Sequence, residues 1–190
     1  MHNTELKPDE LFKNLPILET ERIRLRPLSI RDASQVFEYA CEPEVARFVT
    51  WEHHRSLSDS MHFLRLITQQ YKNNIPSPWG IVYKEENKLI GTGGYHLWQK
   101  EHARAEFGYA ISANYWNKGL MTEVLKEMIR FGFNVMELNR IEAKCYPENI
   151  ASEKVMLKCG LKFEGISREC VFIKGKFRDL KQFSILKSEY

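Results

Sequence analysis

The chain has 190 residues, of which 43% are hydrophobic and 28% charged, and a formal net charge of +3. That length and apolar content suit one globular domain with its own core; the charge is too mild to argue for nucleic acid and fits an anionic small-molecule ligand. No apolar run approaches the roughly 20 residues that span a bilayer, and the first residues lack the basic-then-apolar order of a secretory signal, so a soluble cytoplasmic protein with no membrane partner is expected.

Residues 1–20 are polar and proline-containing and are expected as a lead-in arm to a single domain over 21–190. Residues 22–28 alternate basic and apolar side chains, the period of a half-exposed strand, with Arg22, Arg24 and Arg26 expected to face solvent. Ser29 and Asp32 open a helix expected to reach Ala40, and a second helix is expected over 58–71, with Met61, Leu64, Ile67 and Tyr71 on one stripe. The short apolar segment 48–51 between them is expected to pack rather than line a pocket. Three antiparallel strands follow, over 79–83, 89–97 and 102–111, joined by short polar connections.

The run Asn114-Tyr115-Trp116-Asn117-Lys118-Gly119-Leu120-Met121-Thr122-Glu123 leaves the last of these strands and opens a long amphipathic helix, expected over 119–136. Leu120, Val124, Met128, Phe131 and Val135 form one apolar stripe beside Met121, Leu125, Ile129 and Met136, while Glu123, Glu127, Arg130, Asn134 and Glu137 are expected to stay wet. A helix start carries about four unpaired amides at the positive end of the macrodipole, and Gly119 lets an anion approach the backbone. Asn117, Lys118, Gly119, Leu120, Met121 and Thr122 therefore offer amides to a phosphate; a glycine merely easing the chain into a helix is the plain alternative. Residues 140–146 read as a fifth strand, parallel to the one before the helix. A short helix over 150–159 stops at Gly160, and 161–173 with 177–186 forms a closing hairpin. No GxGxxG follows the first strand, and Lys118-Gly119 inverts the Gly-Lys-Ser/Thr order of a P-loop. Cys41, Cys145, Cys159 and Cys170 show no metal spacing and are expected as buried free thiols; His53-His54 has no metal partner at a sensible distance in sequence.

Three stretches combine with this order of elements: Arg104-Ala105-Glu106-Phe107-Gly108-Tyr109-Ala110-Ile111, the run from Trp116 to Glu123, and Asn149-Ile150-Ala151-Ser152-Glu153-Lys154-Val155-Met156 leading to Cys159-Gly160-Leu161-Lys162-Phe163-Glu164-Gly165. Over essentially its whole length the chain resembles the GNAT (Gcn5-related) N-acetyltransferase superfamily, and within it the Rim-type group that acetylates the N-terminal alanine of ribosomal proteins. Trp116 and Met121 depart from the Gln/Arg and second Gly/Ala usual in that family's loop. The resemblance implies an α+β (α/β) fold, a strongly twisted mixed sheet of about seven strands with about four helices, and two parallel strands that splay to form an acyl-CoA cleft. It also implies acetyl-CoA as donor, no metal, and direct attack by an amine acceptor, in a monomer or homodimer. A protein N-terminus is the expected acceptor; a polyamine or small-molecule amine is the variant within the class, and a non-catalytic acyl-CoA-binding domain the alternative outside it.

The same resemblance puts the amides of Tyr109, Ala110 and Ile111 beside the pantetheine arm, Asn149 in contact with that arm and the Ser152 hydroxyl near the thioester sulfur, with Tyr146 a reserve acid. Asn149 also suits an N-cap on its own chemistry. An α-amine, with a pKa near ~8 against ~10.4 for lysine, asks little of a general base. Glu106 is the candidate, since alternation places it opposite Phe107, Tyr109 and Ile111; a carboxylate paired with Arg104 or a neighbouring strand, or an anchor for the substrate ammonium, are its other readings.

Overall fold

Residues 10–190 are described by the structure, a computed structural model. In chain order they form β1 (Leu18–Glu19), β2 (Ile23–Arg26), α1 (Ala33–Ala40), α2 (Pro43–Ala46), α3 (Leu57–Lys72), β3 (Trp79–Tyr83), β4 (Lys88–Gln99) and β5 (Arg104–Ile111). Then come α4 (Leu120–Asn134), β6 (Arg140–Cys145), α5 (Ile150–Lys158), β7 (Lys162–Ile173) and β8 (Lys176–Leu186). The strands make one eight-stranded sheet in the order β1-β2-β3-β4-β5-β6-β8-β7. Only β5 and β6 run parallel, as the long crossover through α4 requires; the short connections elsewhere give antiparallel pairs. The fold is α+β, with one strand and one helix more than expected.

Two layers of helix cover the sheet. On one face α4 lies close, because Gly132 has no side chain: a Cβ there would come within 2.2 Å of the Tyr95 hydroxyl, which donates to the Met128 carbonyl at 2.8 Å. Both apolar stripes of α4 are buried from Leu120 to Phe131 and from Met121 to Ile129. On the other face Tyr71 of α3 holds the start of β3, its hydroxyl donating to the Pro78 carbonyl and accepting from the Leu28 amide at 3.2 Å. Tyr39 of α1 reaches Thr92 of β4 on that same face.

Several expectations change. Residues 10–20 are packed rather than loose: Leu11, Phe12 and Leu15 enter the core, and the Trp79 indole donates to the Pro16 carbonyl at 2.7 Å; residues 1–9 of the expected arm lie outside the described residues. Of the arginines assigned to solvent, Arg26 pairs with the buried Asp32 at 2.6 Å and Arg22 is bound into the loop described below. Only Cys145 of the four free thiols is buried, and Cys170 is exposed on β7. β5 begins at Arg104 rather than 102, because Lys100–His102 closes as a 3-10 turn ending on Ala103 at φ 43°. Among the described residues no helix is long and apolar enough to cross a membrane.

Candidate active site

The sheet opens where its parallel pair ends. β5 and β6 are paired over four positions, from Arg104↔Arg140 to Phe107↔Ala143. Beyond them β5 runs on to Ile111 with a partner only on its β4 side, while β6 stays with β8 through Cys145↔Lys181. The Ser112 amide donates to Ile90 of β4 at 2.8 Å, which sets the phase of the strand. By alternation the Ala110 amide also faces β4, and those of Tyr109 and Ile111 face the gap. Two of the three expected amides thus look into the opening and Ala110 does not. Trp116 closes the far end, its indole donating to the Ile111 carbonyl at 2.9 Å.

At that end lies the loop before α4. Asn117 and Gly119 both take left-handed backbone, at φ 59° and 75°, a conformation that glycine and asparagine tolerate and branched residues do not. The first helical bond runs from the Glu123 amide to the Gly119 carbonyl at 3.2 Å, and among the described residues none of the six amides from 117 to 122 has a backbone acceptor. Met121, in place of a small residue, turns its side chain into the core and leaves this row clear. Six consecutive free donors at a helix N-terminus match a diphosphate in charge and in hydrogen-bonding sense. The Lys118 ammonium sits over the Tyr115 ring, 5.0 Å from its centroid.

Glu106 sits on the α1 and α3 face of β5, with a side chain only 10% exposed. Lys144 of β6 donates to it at 2.6 Å and His96 of β4 at 3.1 Å. Burial by itself would raise its pKa, but the hydrogen bonds from His96 and Lys144 and the lysine charge outweigh it and hold Glu106 below the usual carboxylate range. It is therefore ionised at neutral pH. Arg104, its suggested alternative partner, bonds to Gln99 and pairs with Glu142 instead.

On the opposite face the Tyr109 hydroxyl lies 2.8 Å from the Ser152 hydroxyl. Burial raises the Tyr109 pKa, so the phenol keeps its proton and can serve as donor. Asn149 caps α5 by accepting the Ser152 amide at 3.1 Å, which fixes the serine in the first turn. Tyr146 is nearly buried against Phe48, with ring centroids 6.1 Å apart, and carries the Arg178 guanidinium 5.5 Å from its own centroid. By alternation along β6 it shares the Lys144 face, away from Ser152. The segment 48–51 therefore packs as expected, with Phe48 against Tyr146, which together with Arg178 lines a cavity of ≈ 280 Å³.

A family model described as Acetyltransferase (GNAT) domain matches residues 22–162. The chain belongs to the GNAT acetyltransferase family. The uncharacterized N-acetyltransferase p20 of Bacillus licheniformis is 34% identical to it over 173 residues, 91% of this chain and 97% of that one. The [Ribosomal protein uS5]-alanine N-acetyltransferase of Escherichia coli is 27% identical, over 85% of this chain and 86% of its own. A crystal structure of a GNAT-family acetyltransferase from Bacillus anthracis matches with a TM-score of 0.81 at 27% identity, covering 92% of this chain and 100% of that one.

As a GNAT enzyme the chain is an acetyl-CoA-dependent N-acetyltransferase acting on an amine acceptor. The loop and the gap described above suit that donor: free amides for the diphosphate, and an open strand edge for the amide-bearing arm. One brace on this GNAT loop escaped the sequence. Arg22, just before β2, donates to Glu123 at 2.8 Å and to the Lys118 carbonyl at 3.1 Å, and Glu123 also accepts from Thr20 and from the Arg22 amide. Both residues were expected to face water; they tie the first strands to the helix start. Arg22→Ala is expected to weaken CoA binding about fivefold by calorimetry, since this partly exposed pair is worth about 1 kcal/mol.

Proposed function

We propose that this enzyme acetylates a protein N-terminal α-amine, of the ribosomal-protein-alanine kind, acting in the cytoplasm as a single domain into which residues 10–20 are packed. The observation that carries the reading is the acceptor face itself, where the Glu106 carboxylate and the His96 imidazole meet at 3.1 Å, both of them bases far weaker than a lysine amine. So weak a base suits an amine that is already partly neutral near pH 8, and suits a lysine side chain poorly. The likeness to the Escherichia coli ribosomal-alanine enzyme over most of both chains supports the same choice.

In this reading the amides of Asn117, Lys118, Gly119, Leu120, Met121 and Thr122 hold the diphosphate. Tyr109 and Ile111 bind the arm in the gap beside Ala110, with Asn149 at its edge. One amide facing the developing oxyanion would contribute on the order of 3 kcal/mol to the transition state. The acceptor approaches from the Glu106 face; the thiolate leaves on the other and takes a proton from Ser152, resupplied by Tyr109. Tyr146 then belongs to the acceptor wall.

The test is free-thiol release from acetyl-CoA over a panel of acceptors. Peptides with a free N-terminal alanine or serine are expected to react. The same peptides blocked at the α-amine but carrying a lysine should be at least about tenfold slower, as the pKa gap dictates. Faster turnover of the lysine peptides or of a polyamine would refute the proposal.

A further inference from the structure

We propose that His96 is the general base of the reaction, taking the proton from the attacking amine at Nδ1, with Glu106 as the residue that orients it. The inference goes beyond the acceptor reading above and holds for any amine acceptor, although it rests on the acceptor approaching from the Glu106 face.

The tautomer is set by the partner. An ionised carboxylate can only accept, so the contact of 3.1 Å requires His96 to donate from Nε2. In the neutral ring this leaves the lone pair on Nδ1. Glu106 in turn is fixed by Lys144 at 2.6 Å through its other oxygen, so the carboxylate cannot swing away, and its charge is already matched. The imidazole is thus oriented with Nδ1 left to act, the arrangement a base needs before turnover.

The position of Nδ1 is informative. A Cβ placed on Gly108 would lie 3.4 Å from it and 3.6 Å from the adjoining ring carbon, so the imidazole covers the α-carbon of Gly108. Gly108 is the first residue of β5 past the last parallel pair, Phe107↔Ala143, where the gap begins. The free nitrogen therefore stands over the mouth of the opening, whereas the Glu106 oxygens are both committed to side chains. The His96 side chain is also 54% exposed against 10% for Glu106, so an acceptor can reach the histidine and cannot readily reach the carboxylate. Gly94 lies opposite Gly108 and His96 stands two residues further along β4, so alternation puts the imidazole on this same face, just where the β4–β5 register shifts between Tyr95 and Leu97.

The step balances. As the amine nitrogen forms its bond to the thioester carbonyl carbon and the carbon–sulfur bond breaks, the proton shed by nitrogen goes to His96 Nδ1. The sulfur gains one from Ser152, and solvent restores both sides. No oxidant, metal or further reactant is required.

His96→Gln is the test, with whichever acceptor the wild type uses best. The expected result is a fall in kcat of about 100-fold with KM for acetyl-CoA nearly unchanged, and loss of the acid limb of the kcat–pH profile. Added imidazole should partly restore His96→Gly, which a structural role would not allow. A His96→Gln enzyme with wild-type kcat and pH profile would overturn the proposal, with Lys144 and Glu106 the other charged groups facing the ring. A readout independent of turnover is the tautomer: nitrogen-15 spectra of the wild type at pH 8, assigned with His96→Gln, should show the proton on Nε2. A proton on Nδ1 would overturn the proposal even if no acceptor were found. Failure of N-terminal peptides alone, with other amines reacting, would refute the acceptor reading and leave this one standing.

Discussion

Glu106→Gln is expected to lower kcat about 100-fold while changing CoA affinity by less than about twofold. The split follows from placement. Glu106 lies on the opposite face of β5 from Tyr109 and Ser152, and well away from the loop before α4, so the donor's contacts survive its loss. What is lost is the anion that fixes the His96 tautomer: a glutamine can offer its NH2 as readily as its oxygen, and a ring that accepts at Nε2 carries its proton on Nδ1, where none is useful. Single-turnover thiol release and calorimetry measure the two halves separately. Equal damage to both would place Glu106 in scaffolding instead. The sign of the pH effect on stability can be stated as well. The folded pKa of Glu106 is depressed, so its stabilisation is complete above the unfolded carboxylate value and is lost as pH falls through the folded one. The stability difference between wild type and Glu106→Gln should therefore shrink on acidification, as followed by urea unfolding.

Gly119→Val should weaken CoA binding about 30-fold, whereas Gly119→Asn should leave it nearly unchanged. A Cβ at this position meets only the Arg22 guanidinium, at 3.7 Å, so space is not the issue. The obstacle is φ of 75°, which asparagine can adopt and a β-branched residue resists by about 2 kcal/mol, close to the 30-fold expected. If the valine variant kept the loop, the cost would appear as lost stability and CoA would still bind; if the loop relaxed, its six amides would no longer converge. Calorimetry and thermal unfolding on both variants distinguish these cases, and wild-type affinity together with wild-type stability in the valine variant would show that the convergence of this loop is not what grips the diphosphate.

Elements with a strong internal period were readable in the sequence. α4 was visible in its two stripes, the meander in its alternation, and the start of β7 in Gly160, which ends α5. β1 and α2 were not, since two residues and four residues carry no period. The site divides along the same line. The free amides before α4 and the cap by Asn149 are local, and local spacing revealed them. Arg22 and Glu123 meet across 101 positions, and Tyr109 and Ser152 across 43, so their polarity alone suggested solvent or capping. Alternation placed Tyr109 correctly but drew attention to its amide and not its phenol. His96 was hidden differently: alternation gives its face, but its contact with Glu106 depends on the β4–β5 register, which shifts between Tyr95 and Leu97.

Among the described residues, the four positions shared by β5 and β6 are the only strand pairing between the first five strands and the last three. Everything else about the sheet is two antiparallel ribbons lying edge to edge. In the proposed reading, acetyl-CoA lodged in the wedge beyond Phe107 does more than wait for attack; by offering its own amides to the vacant edge it would serve as mortar between the ribbons. The donor is then a temporary part of the architecture, and each turnover removes and replaces a piece of the wall that the next acceptor must find intact.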